Sequence, residues 1–567
     1  MGDLREFYPR FATLFTQGNF ISAARTAGWE INMTSMIYNP VEEFEGKFKE
    51  LHLENAKKYF EDLVQQSGIN IEENRKTVKE YDELKNALPK IKRKYNLWRF
   101  LRVIMIITLI LIPLVIIKIT PKIKALRSEI EKSGKKIDEL LANAHQQMRP
   151  LTDLFTDRDA LKLIESTIPM LSFAPCFSAK QEADMLINYD FCDNDNGEQS
   201  TTDVLAGHYN ENPFLFENKI VHKMGVETYH GYKTIYWTES YRDSDGKTRT
   251  RTRSETLHAT VIKPKPFYST QIMLNYCAQG GPELSFTRNA THLERKTDKE
   301  IDRYVKKGEK KLKKMTDKAI KQNKDFVSMS NSDFEVLFDA LDRTNEVQFR
   351  TLFTPLAQTN MVDLIRSKSG YGDDFNFIKQ NRTNRIISQH SQGRVLALPS
   401  RAYASHSFDI IKENFINKNT DYFKSVYFDF APIWAIPIYQ ERPVHSLHPI
   451  PESPQTYSYK EYEALSNKAS TEFVVHPKTK TPAILKSSFV NSQNSVDEIA
   501  VSAYSYNIVQ RIDFIPVHGK DGHWHNVPVP WDDYIPLKAT NTFYVAEPEL
   551  AQDRNIIARY NNICIFN

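Results

Sequence analysis

The segment FIPVHGKDGHWHNVPVPWDDYIP, residues 514–536, brings His518, His523 and His525 close together in sequence. Three imidazoles plus a carboxylate from Asp532 or Asp533 make a tetrahedral zinc set. A hairpin turning through Gly519-Lys520-Asp521-Gly522 would set His518 opposite His523, with His525 on the same face. Against zinc, a hairpin tip lacks the outer hydrogen bonds that orient metal-binding histidines.

A second cluster lies in SYRDSDGKTRTRTRSETL, residues 240–257, where Arg249, Arg251 and Arg253 alternate along a strand. Asp245-Gly246 is the favoured type I′ pair and predicts a two-residue turn. In that register Glu239 faces Thr252 and Arg242 faces Arg249, giving four arginines on one face with no carboxylate near the tip. Guanidinium forks pair with phosphates bidentately, so this face suits anionic lipid headgroups or an acidic protein. The plainer reading is a charged edge that resists strand pairing. No phosphate loop, GxSxG, HExxH or GxGxxG is present, so the sequence names no catalytic residue.

The elements that must carry these clusters begin with an apolar run. NLWRFLRVIMIITLILIPLVIIKITPKIK, residues 96–124, has 15 uncharged positions between Arg102 and Lys118. Taken from Leu97 to Ile119, with Arg99, Arg102 and Lys118 snorkelling, it reaches 23 residues. That is enough for one transmembrane helix. Seven Lys/Arg on either side, in 83–102 and 118–137, leave the orientation open. A mean hydropathy of −0.51 excludes a multi-pass transporter. The N-terminal stretch has neither a signal-peptide core nor a myristoylation pattern.

Heptad seams flank the run. Thr77, Tyr81, Leu84, Leu88, Ile91, Tyr95 and Trp98 precede it, with Pro89 expected to kink the helix; Ile119, Ile123, Leu126, Ile130, Ser133, Ile137, Leu140 and Ala144 follow. The favoured expectation is a parallel homo-oligomer held together through the bilayer. The alternatives are seams packed on the chain's own helices, such as 41–66, and a hairpin turning at Pro113 with both arms on one side. An unpaired turn in lipid weighs against the last.

Beyond residue 166 the texture becomes β-rich. Strand 248–263 enters a core through Leu257, Ala259 and Val261 and closes at KPKPFY. Residues 295–324 hold thirteen basic and five acidic residues in helical texture and read as a linking helix. Without aromatic interleaving they give no nucleic-acid signature. Helices are expected at 333–342 and 347–367, and a strand at 425–439. Four scattered cysteines form no CxxC. The resulting fold class is α+β. Its expected units are a helical N-terminal arm (1–96), the transmembrane helix (97–119), a coiled-coil arm (120–165), a β-rich domain (166–294), a basic linking helix (295–324) and an α+β domain (325–567).

The stretches WTESYRDSDGKTRTRTRSETLHATVIKPKPFY, VQFRTLFTPLAQTNMVDLI and SGYGDDFNFIKQNRTNRIISQHSQG resemble an uncharacterised family of single-pass membrane proteins from low-GC Gram-positive bacteria and their wall-less relatives. The resemblance implies a bacterial membrane protein and carries no functional residues with it. The expected function is therefore a membrane-anchored, oligomeric scaffold or binding protein. A membrane-tethered zinc enzyme built on His518, His523 and His525 is the alternative.

Overall fold

The computed structural model describes residues 36–107, 118–192, 197–321, 329–443, 448–469 except 452 and 454, 474–493, 496–546 and 563–565. The chain is a mixed α+β protein in which N-terminal helices precede antiparallel sheets. Among the described residues no helix is long and apolar enough to cross a membrane.

Helix α1 (Lys49–Ser67) leads into two long helices, α2 (Ile71–Ile107) and α3 (Thr120–Thr152). These two lie antiparallel. At one end Asn74 reaches the Ala144 carbonyl and Gln147; at the other, Tyr95 and Trp98 pack on Ile119 and Ile123. The inward positions of both helices are the heptad residues, so the seams form as expected but close on each other within one chain. Helix α2 continues through Pro89.

This corrects the single straight helix over 97–119. Such a helix would hold Trp98 and Ile119 about 32 Å apart at 1.5 Å per residue, whereas the two side chains are in one cluster. Ten residues of the expected span, 108–117 with Pro113 among them, lie outside the described residues. A heptad seam encodes which face is buried, not the direction of its partner. The neighbouring arm of the same chain is simply the partner at highest local concentration.

The hairpin is gripped at its base. Met148 and Leu151 of α3 join Ala56, Phe60 and Leu63 of α1 and Phe408, Ile411 and Phe415 in one apolar cluster. Asn74, fully buried, donates to the His406 carbonyl and accepts from the Phe408 amide. Tyr81 packs edge-on against His406. Ile107 lies 26 residues past Tyr81, so the hairpin projects about 39 Å beyond these ties.

The body is built on a seven-stranded sheet in the order β1-β2-β3-β4-β7-β6-β5. Its strands are β1 (Leu171–Phe173), β2 (Gln199–Tyr209), β3 (Asn212–Arg242), β4 (Thr248–Cys277), β5 (Ser285–Arg288), β6 (Phe375–Gln380) and β7 (Thr383–Ser388). Strands from both sides of the basic helix thus share one sheet, and the division drawn between 166–294 and 325–567 runs through it. That helix, α4 (Asp298–Lys321), does more than link: it buries Ile301, Val305 and Leu312 in the main core.

Residues 425–439, expected as a strand, belong mostly to helix α5 (Phe408–Trp434). Its last turns are buried on every side, with Phe430 edge-on to Phe214 and Trp434 against Tyr209. Complete burial erases the polar face that would have shown a helical period.

A second sheet follows α6 (Tyr459–Lys468), in the order β11-β10-β9-β8. It comprises β8 (Ile484–Gln493), β9 (Val496–His518), β10 (Trp524–Ala546) and the short β11 (Ile563–Ile565). Two strand pairs outrun their sheets. The β3/β4 pair leaves its last neighbour near Val221 and continues to Arg242; β9/β10 continues past Tyr504 to His518. At about 3.4 Å per residue these ribbons extend roughly 70 and 48 Å. They stack face to face through Ile235, Leu257, Ala259, Val527 and Val529. The first ribbon therefore does not close at KPKPFY. Pro264, Pro266, Pro516, Pro528, Pro530 and Pro536 stand within the ladders, all at even positions. A proline is tolerated where its missing N–H would point to an open edge.

Candidate functional site

Three places on this frame were singled out by the sequence: the arginine hairpin, the histidine tip and the apolar run. Both ribbon tips use one turn geometry. Asp243 N–H donates to the Lys247 carbonyl and Gly246 N–H to the Asp243 carbonyl; Gly519 with His523 and Gly522 with Gly519 repeat the pattern. Gly246 and Gly522 take left-handed φ of 76° and 83°. These are three-residue loops with a glycine bulge rather than the two-residue type I′ turn.

The extra residue slips the register by one, which moves side chains to other partners and faces. Glu239 stands opposite Arg251, and Arg242 opposite Thr248. Arg249 pairs with Asp243 at 2.7 Å, while Arg251 and Arg253 share Glu239 at 2.9 and 2.6 Å. The carboxylate-free ladder of four arginines is thus corrected. Three arginines share a face with two acids, and Arg242 is on the opposite face. Such half-exposed pairs contribute about 0–1 kcal/mol each.

At the other tip, His518 pairs with Trp524 rather than His523, and the two rings meet edge-on. His525 pairs with Val517 on the inner face and meets Asp521 at 2.8 Å. His518 and His525 therefore face opposite sides of the ribbon, and His523 lies in the loop. Among the described residues no three His, Cys, Asp or Glu side chains are grouped to hold a metal. The three-histidine zinc geometry is not formed.

At the far end of the helical hairpin large apolar side chains stand in the open. Leu97 is 57 % exposed, Phe100 62 %, Val103 53 % and Ile104 42 %. Arg99, Arg102, Lys118, Lys122 and Lys124 surround the same end, with Lys122 4.6 Å from the Trp98 ring centre. An apolar end with a cationic collar is what the antiparallel pairing makes from a sequence that reads linearly as charge, apolar run, charge.

Sequence reading missed a buried node centred on His390. Its Nδ1 lies 2.6 Å from Asp374 Oδ2, while Nε2 is 3.1 Å from the Ser425 carbonyl and 3.5 Å from Asp429 Oδ1. Tyr371 stacks on the ring at 3.7 Å, and Arg394 holds Asp429 at 2.7 Å. Both ring nitrogens face acceptors, so the site favours the doubly protonated imidazolium. Burial opposes that charge most strongly, but Asp374 and Asp429 together outweigh it and the pKa is raised. The node ties the β7 exit to α5, where the Ser425 hydroxyl accepts from Arg394 at 2.6 Å. Its members are scattered over 371–429, so no local motif marked it.

These features define a class: an α+β body with a projecting helical hairpin and a double β-ribbon arm. No known protein family, curated protein or solved structure matches the chain.

Proposed function

We propose that the chain is a membrane-anchored scaffold whose helical hairpin dips its apolar end into one leaflet, leaving the body and the ribbon arm on a single side. The observation that carries this reading is the antiparallel pairing of α2 and α3, which gathers exposed apolar side chains and a basic collar at one end. The 15 residues between Arg102 and Lys118 carry no charge and are fewer than the ~20 that a single helical crossing of the hydrocarbon needs. The collar then lies at headgroup level, where each Lys or Arg contributes about 1 kcal/mol on an anionic surface.

The test uses the full chain with native cysteines replaced and single cysteines at Lys90 or Lys132, reconstituted into sealed vesicles. An impermeant thiol reagent should label both positions, and Gly246→Cys, from the same side. Labelling of Lys90 and Lys132 from opposite sides would restore the single crossing. A chain that does not float with vesicles would end the membrane reading altogether.

A further inference from the structure

The β3/β4 ribbon sorts its charges by face. From 226 to 240 on β3 and 250 to 264 on β4, odd positions carry Glu227, Lys233, Glu239, Arg251, Arg253, Glu255 and Lys263. Even positions over the same range hold no Asp, Glu, Lys or Arg. The odd face is the one stacked on the second ribbon. All the even positions are exposed, including Val226 at 67 %, Ile262 at 66 %, Tyr232 at 62 % and Tyr236 at 71 %. Solvent faces of sheets ordinarily carry the charges that keep copies apart, and here the arrangement is reversed.

We propose that this outer face of the β3/β4 ribbon, from Val226 to Ser240 and short of Arg242 at the tip, is a homotypic interface that docks on the same face of a second copy of the chain. Its chemistry leaves few other occupants. It carries no Asp, Glu, Lys or Arg, and its two imidazoles, His230 and His258, are stacked and hydrogen-bonded to each other at 3.0 Å, so it offers no fixed charge to nucleic acid, an anionic surface or a charged peptide. Nine threonine and serine hydroxyls make it too polar for hydrocarbon. An uncharged face can meet itself in a two-fold pairing with no like-charge contact. Tyr232 and Tyr236 protrude beside the small Thr234 and Ser254, so knobs and recesses alternate along one strip, and tyrosine is enriched at interface centres. A second copy also supplies a flat partner of equal length. The strip is about 48 Å long and about 10 Å wide. Two copies bury roughly 1,000 Å², the lower bound for a specific interface. Stacking of ribbon on ribbon is already realised on the opposite face of this same strand pair.

The experiment measures protein mass by light scattering on the full chain in nonionic detergent across a concentration series. The comparison is between the natural chain, the double variant Tyr232→Glu/Tyr236→Glu, and Phe514→Glu, which adds a charge at a 64 % exposed site on the other ribbon. All altered side chains are exposed, so circular dichroism should be unchanged. A concentration-dependent dimer in the natural chain and in Phe514→Glu, weakened at least about tenfold by the tyrosine changes, is the expected result. A natural chain that stays monomeric throughout overturns the proposal. So does a dimer indifferent to the tyrosine changes. The mass does not depend on vesicle flotation, so failure here and failure of the leaflet reading are separate results.

Discussion

The fold shifts the protonation of His390 and Glu461 upward, and both make alkaline conditions less favourable. The imidazolium held by Asp374 and Asp429 has its pKa raised above the ordinary 6.5. Its contribution is therefore complete below that value and is lost as pH rises through the folded pKa. His390→Gln should lower the thermal midpoint at pH 6 and change it least at pH 9; an equal loss at both would mean a neutral ring. Glu461 accepts from the Phe177 amide, and burial pushes its carboxyl up to about 7. The native state keeps that proton where the unfolded chain releases it, so stability declines from about pH 4.5 through 7. Glu461→Gln retains an acceptor for Phe177 and removes the decline. It should stabilise the fold at pH 8 by on the order of 3 kcal/mol and do little at pH 5. Neither residue was legible as functional in the sequence, because each takes its character from partners tens to hundreds of positions away.

At the scale of elements, the two ribbons depend on close approach at Gly231. A Cβ there would lie 2.2 Å from the Pro528 carbonyl oxygen and 2.8 Å from Val529 Cα. Gly231→Val should part the ribbons, speeding hydrogen exchange over 510–532 while leaving the midpoint of the body unchanged. Loss of the whole fold would show that the arm is not a separate unit. For the helical hairpin, Val103→Asp/Ile104→Asp should cut recovery with floated vesicles at least about tenfold, since the two carboxylates beside Arg102 replace apolar contact and oppose attraction to an anionic surface by about 1 kcal/mol per charge. Undiminished recovery would place membrane contact elsewhere. The hairpins themselves were readable from Asp-Gly and Gly-Lys-Asp-Gly. Their registers were not, because a single left-handed glycine decides between a two- and a three-residue loop, and that choice exchanges the partners of every side chain beyond it.

For the whole molecule, α2 and α3 turn their heptad positions toward each other inside one chain. Leu84→Asp/Leu88→Asp should lower helicity and loosen the hairpin without changing the oligomeric mass; a fall in mass would make the seam intermolecular after all. The sequence by itself determined the apolar run, the heptad faces, the turn positions and the parity that sends charges to one side of a ribbon. Each is a local consequence of residue type and of a period of 3.5 or 2. Only the tertiary structure decided what those faces meet: an antiparallel arm of the same chain, Glu239 instead of an open arginine ladder, a fully buried helix at 425–434 instead of a strand. Periodicity marks a face for burial without naming its partner. The partner is chosen by which surfaces the connected chain brings together, and that is a property of the folded whole.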